Sequence, residues 1–120
     1  MLLLEGCYPR TKRALRQLYG GQGGLVGRLF APMVVMWMDI FYGFRMDEIS
    51  PARLAAALDI PVLIIHGERD QHFPLEDARV LRDSFPAGRA EFFVGSGADH
   101  SGSSLAPGYS VAIKSFIERH

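Results

Sequence analysis

Cysteine is nearly absent from this chain. The single Cys7 excludes an internal disulfide and a cysteine-based zinc cluster, and it fits a reducing compartment. An excess of charge of one sign is absent too. Thirteen basic and thirteen acidic residues cancel, so the net field favours neither nucleic acid nor an anionic membrane. Long hydrophobic runs are missing as well. The longest apolar stretch, residues 25–44, carries Arg28, Pro32 and Asp39, whereas a transmembrane helix needs about 20 apolar residues in a row. No transmembrane segment is expected, and the stretch reads as a buried or lid helix. Residues 1–4 are apolar, but Glu5 interrupts them and no basic residue precedes them. No signal peptide is expected, and the chain is placed in the cytoplasm.

Several chemical motifs are also missing. The glycines at 20, 21, 23 and 24 match a P-loop in glycine content only, because no Gly-Lys-Ser/Thr ending follows them. A flexible connector is expected there. A dinucleotide fingerprint fails at its third glycine: Gly95–Ser96–Gly97 continues as Ala98–Asp99–His100, with Ser103 beyond. No H-E-x-x-H occurs, and neither a metal nor another cofactor is expected. No G-x-S-x-G nucleophile elbow occurs. The closest string, GYSVA at 108–112, opens the last helix with no strand before it. Cys7 follows a strand, but Glu5 and Pro9 stand two positions to either side, where an elbow needs small residues.

What is present is a core and an alternation of elements. At 120 residues and 48% apolar composition the chain is at most one domain with enough apolar surface to fold. Residues 2–4, three leucines, read as a short strand. Thr11 can cap a helix ended by Gly20. Residues 25–30 form a turn or two, and Pro32 then starts a second helix through Tyr42. That helix is apolar nearly all round. It reads as packed in the core or against a sheet, or else as a cap helix whose methionines and aromatics line a pocket. Ser50–Pro51 is a cap followed by proline at the first helical position. The string IPVLIIHGERDQHFP, residues 60–74, organises the rest. Its run Val62–Leu63–Ile64–Ile65 has no polar residue and the length of one strand, the signature of a strand buried on both faces of a parallel sheet. An amphipathic helix over 75–85, a strand over 90–94, a Gly/Ser-rich loop and a closing helix over 109–119 follow. Strands alternating with helices imply parallel pairing with right-handed crossovers.

Two candidate site residues emerge. Asp70 and His100 each follow a predicted strand on the same edge of the sheet, where open α/β sheets keep their sites. A carboxylate beside an imidazole fixes its tautomer and stabilises the imidazolium formed in acyl transfer. His66 is expected to pack at the strand end, and His72 to be a loop residue.

HGERDQHFP resembles the acid-bearing strand and loop of α/β-hydrolases, often HGxxDxxxP, and GSGADHSG resembles their histidine loop. The nearest flavour is the dienelactone-hydrolase, prolyl-oligopeptidase and serine-aminopeptidase-like group. The resemblance implies the C-terminal portion of an α/β-hydrolase fold: about three parallel strands, flanking helices and a helical cap segment. It divides the single partial domain into a strand and loop (1–9), cap-like helices (10–59) and the part bearing Asp70 and His100 (60–120). It further implies a hydrolase acting on an ester, thioester or peptide-like acyl bond. Asp70 and His100 would be two members of a Ser-His-Asp triad whose nucleophile is outside this chain, leaving the chain inactive alone. A small acyl substrate would be its ligand, with no nucleic-acid partner. The other reading is a non-catalytic binding or dimerisation module. In either case the strand of Leu2, Leu3 and Leu4 would lack a neighbour, and self-association through that edge is expected.

Overall fold

The strand Val62–Gly67 is buried at all six positions, and its alternating side chains feed two separate cores. Val62 and Ile64 pack with Ala55, Leu81 and Phe85 on one face, while Leu63 and Ile65 pack with Phe116 on the other. A strand covered on both faces needs apolar residues at every position rather than every second one. A computed structural model describes residues 1–22, 24–43 and 45–120. Gly23, in the expected glycine connector, and Phe44, at the end of the long apolar stretch, lie outside the described residues.

The described elements, in order, are β1 (Leu2–Glu5), α1 (Thr11–Gln22), α2 (Gly24–Tyr42), a 3-10 turn (Met46–Ile49), α3 (Pro51–Ala55), β2 (Val62–Gly67), α4 (Leu75–Asp83), β3 (Ala90–Gly95), a second 3-10 turn (Ser103–Leu105) and α5 (Tyr109–Arg119). The three strands form one sheet in the order β1-β2-β3, every pair parallel. Leu2 stands opposite Val62, and Val62 opposite Ala90. The α3 and α4 helices cover the face of Val62 and Ile64, and α5 covers the other through Phe116 and Ile113. This register brings the carboxyl ends of all three strands to one edge.

The N-terminal half departs from the sequence expectation. Gly20 does not end α1, which runs to Gln22. Pro32 does not start a helix; it lies inside one continuous α2. The reason is packing between the two helices. A Cβ at Gly27 would fall 2.2 Å from the Tyr19 carbonyl oxygen, so Gly27 lets the two backbones touch. The glycines here serve helix contact as well as the turn. Packed along α1, α2 stays helical across Pro32, although an interior proline costs a helix about 3 kcal/mol. Nor is α2 a core helix: only Ala31 and Val35 are buried. Ser50 does not cap α3 with its side chain. Its Oγ accepts the Thr11 backbone N–H at 3.3 Å, tying α1 to the α3 entry.

Candidate active site

The chain leaves β2 through Gly67 into a turn in which the Asp70 N–H meets the Gly67 carbonyl at 3.3 Å. The Asp70 side chain then folds back on its own loop. Its Oδ1 accepts the backbone N–H groups of His72 at 2.8 Å and Phe73 at 2.9 Å. Asp next to backbone donors two and three residues on is a common turn device. Here it also aims Oδ2 outward, and the His100 Nδ1–H donates to that oxygen at 2.7 Å. The Asp70 side chain is fully shielded, while that of His100 is 36% exposed. With Nδ1–H held by the carboxylate, Nε2 is the nitrogen that carries the lone pair.

Burial pushes the Asp70 carboxyl up. The hydrogen bonds from the Phe73 N–H, His100 and the His72 N–H together outweigh it and hold the group below the usual carboxylate range. Asp70 is therefore ionised at neutral pH, as an acceptor that orients an imidazole must be.

Two glycines make room for this pair. A Cβ on Gly67 would lie 2.2 Å from the Asp99 carbonyl oxygen and 2.6 Å from that of Ala98, so only glycine lets the histidine loop close over the end of β2. The loops are then bridged by Arg69 N–H to the Ala98 carbonyl at 2.8 Å and by Glu68, whose Oε2 accepts the Gly97 N–H at 2.7 Å. Gly6 follows β1 with φ +59°, and a Cβ there would stand 3.1 Å from His100 Cε1. The imidazole is further framed by the rings of His72 at 5.2 Å and Phe73 at 5.4 Å, and Phe73 rests on Tyr8.

His66 is wholly buried at the end of β2. Its Nε2–H donates to the Phe73 carbonyl at 2.8 Å and lies 3.5 Å from Asp70 Oδ2, while its Nδ1 has no hydrogen-bond partner among the described residues. Thus His66 braces the loop that holds the acid, a role its place in the HG dipeptide signals only as packing. His72 meets the site through its backbone N–H and its ring. The structure therefore brings Asp70 and His100 into contact, with His66 and His72 around them. Gly6, Gly67 and Phe73 are supporting residues that sequence reading did not single out. A glycine directly after the first strand was the only local signal for Gly6.

No group of three or more His, Cys, Asp or Glu side chains could hold a metal among the described residues. Burial, and then the Glu5 carboxylate, push the Cys7 thiol up, so it is protonated at neutral pH and is a poor nucleophile. Ser110 lies in α5, after Gly108 at the helix entry, in a setting unlike the strand-to-helix elbow of a hydrolase.

A parallel sheet flanked on both faces, with an acid after one strand and a histidine after the next, is the architecture of α/β-hydrolases, and the chain has the C-terminal portion of that fold. The solved structure of BpoC from Mycobacterium tuberculosis H37Rv, named for a non-heme bromoperoxidase, superposes with TM-score 0.56 at 15% identity, covering 98% of this chain and 57% of BpoC. TT1662 from Thermus thermophilus shares 32% identity over 62% of this chain and 32% of its own, with TM-score 0.47. The chain thus spans about a third to somewhat over half the length of these two structures. No family model matches it, and no curated protein does.

Proposed function

We propose that this chain supplies the acid and the histidine of a hydrolase site that cleaves an ester, thioester or peptide-like acyl bond. The observation that carries the reading is the 2.7 Å contact between His100 Nδ1 and the buried, ionised Asp70. In this arrangement Asp70 fixes the imidazole tautomer and orientation. His100 Nε2 takes the proton of a hydroxyl nucleophile as it attacks the carbonyl carbon, then returns it to the leaving group. The nucleophile and its oxyanion donors come from polypeptide beyond these 120 residues, because none of the serines stands in an elbow. The cleft nearest in sequence to the pair reaches it through the neighbouring His72. This cleft of about 470 Å³ between α1 and the acid loop is lined by Gln17, Leu18, Gly21, Gln71, His72 and Pro74.

Intact-mass spectrometry after incubation with a fluorophosphonate probe tests the reading. The 120-residue chain alone is expected to remain unmodified, since such probes label only a serine activated by a base and oxyanion donors. A stoichiometric adduct lost on His100→Ala would place the nucleophile inside this chain and overturn that part of the proposal.

A second reading, a non-catalytic binding or dimerisation module, draws support from one observation. Among the described residues the edge strand β1 pairs only with β2, and Leu3 is 41% exposed on it. In that case Asp70→Asn and His100→Ala would leave binding untouched.

A further inference from the structure

Zero net charge conceals a separation. Residues 10–42, the α1–α2 hairpin, hold five basic and one acidic residue, a net +4, so the rest of the chain carries −4. The same hairpin carries most of the exposed large apolar side chains among the described residues. A window of α2 has mean hydropathy 1.5 with only 11% of it buried. Leu25, Leu29, Met33, Trp37, Ile40 and Phe41 are each between 46% and 79% exposed. At 3.6 residues per turn these six fall on the side of α2 opposite Ala31 and Val35, the two residues buried against α1, and span roughly 160° of the circumference. No charged residue falls in that stripe. Arg28 and Asp39, the only charges on α2, lie on the α1 side, and Asp39 pairs with Lys12 at 2.8 Å. A contiguous apolar surface of this size marks an interaction site.

We propose that the hairpin docks on an anionic lipid bilayer, with the stripe of α2 lying in the boundary between headgroups and acyl chains. The charge pattern selects this occupant. The basic residues Arg10, Lys12, Arg13 and Arg16 sit just before and in the first turns of α1, the helix packed behind α2; Lys12 and Arg13 are engaged by Asp39 and Asp77, whereas Arg10 and Arg16 are exposed. The hairpin's net +4 attracts an anionic surface, with a strength that falls as salt rises, while the stripe enters it. A second copy seated on the stripe by a two-fold axis would set one +4 hairpin against another. The α2 helix lies in the plane of the surface, because α1 runs beside it and carries charges that the hydrocarbon core rejects. This docking is independent of the hydrolase chemistry.

Trp37, the only tryptophan, sits in the stripe and reports directly. The purified chain is mixed with vesicles of phosphatidylcholine alone or with 30% phosphatidylglycerol. Binding to the anionic vesicles is expected to exceed that to neutral ones by about tenfold or more at low salt and to fall as salt rises. Trp37 emission should shift to the blue and be quenched by brominated lipid. The double variant Leu29→Glu/Ile40→Glu should lose binding, whereas Val111→Glu, on exposed α5 surface, should keep it. Arg10→Gln/Arg16→Gln should retain the thermal transition and lose the preference for anionic vesicles. The proposal is overturned if the chain ignores both vesicle types. It is equally overturned if Trp37 shifts without lipid and follows protein concentration, which would place a second copy on the stripe, or if only an acidic protein partner protects Trp37.

Discussion

Asp70 is a carboxylate with a shielded side chain and hydrogen bonds to both oxygens, so its ionisation and the local fold are coupled. Its folded pKa is depressed, so its stabilising contribution is complete above the ordinary carboxylate value, and it is lost as pH falls through the lower folded value. Asp70→Asn should therefore flatten the dependence of urea midpoints on pH at the acid end, and it should erase the low-field Nδ1–H proton signal of His100. A wild-type slope shared by the variant would assign acid unfolding to other carboxylates. Gly6→Ala forces a side chain into a left-handed backbone, which costs about 1–2 kcal/mol, and it presses a methyl against the His100 ring. Reduced stability together with a shifted His100 Cε1 resonance is expected; reduced stability alone would mean that the ring does not rest on Gly6. At His66 the donor can be separated from the bulk. His66→Gln can still reach the Phe73 carbonyl and should keep the His100 signals near their native positions, whereas His66→Leu should displace them.

At the scale of elements, the two faces of β2 set the stability and the open side of β1 sets the association behaviour. Phe116 is fully buried on one face and Leu81 on the other. Truncating either to alanine should cost about 2–5 kcal/mol in chemical denaturation. The hairpin is anchored to this body by Arg13, whose guanidinium lies 3.3 Å from Asp77 on α4, a side chain only 2% exposed. Arg13→Gln leaves that buried carboxylate without its cation. Because Arg13 itself is half exposed, the expected cost is about 1–2 kcal/mol rather than that of a fully buried pair. Among the described residues the outer edge of β1 has no strand neighbour beside Leu3, a template for a second strand. We propose self-association there: light scattering should show a mass that rises with concentration and falls toward the monomer in Leu3→Lys. A clean monomer at high micromolar concentration would count against it.

On the scale of the whole molecule, the protein is elongated, with principal extents of 45 × 31 × 18 Å and a Cα radius of gyration of 15.8 Å. A compact domain of this length would have about 13.6 Å. The difference follows from the hairpin, since α2 packs chiefly on α1 and not on the sheet. The parts of the fold legible in the sequence are those in which a local pattern and its burial agree. The Val62–Ile65 run had to be a strand covered on both faces, and the periodicity read over residues 75–85 and 109–119 had to be helical, the first helix ending at Asp83, two residues early. The order of acid and histidine, each after a strand, followed from those elements and their parallel pairing. The helical state of residues 20–22 and 24–32 was not legible, because glycine and proline read as breakers until the packing of α2 on α1 is known. The exposure of α2 was hidden too, since an apolar helix looks the same whether a core receives it or not. By itself, then, the sequence determined the β2-centred half and the chemical identity of the Asp70–His100 pair, through short-range rules of period and polarity. The tertiary structure set how closely the two loops approach over Gly67, that Gly6 supports the imidazole, and that the apolar stripe of α2 is left uncovered. Each of these depends on distances between residues far apart in sequence, which no local pattern encodes.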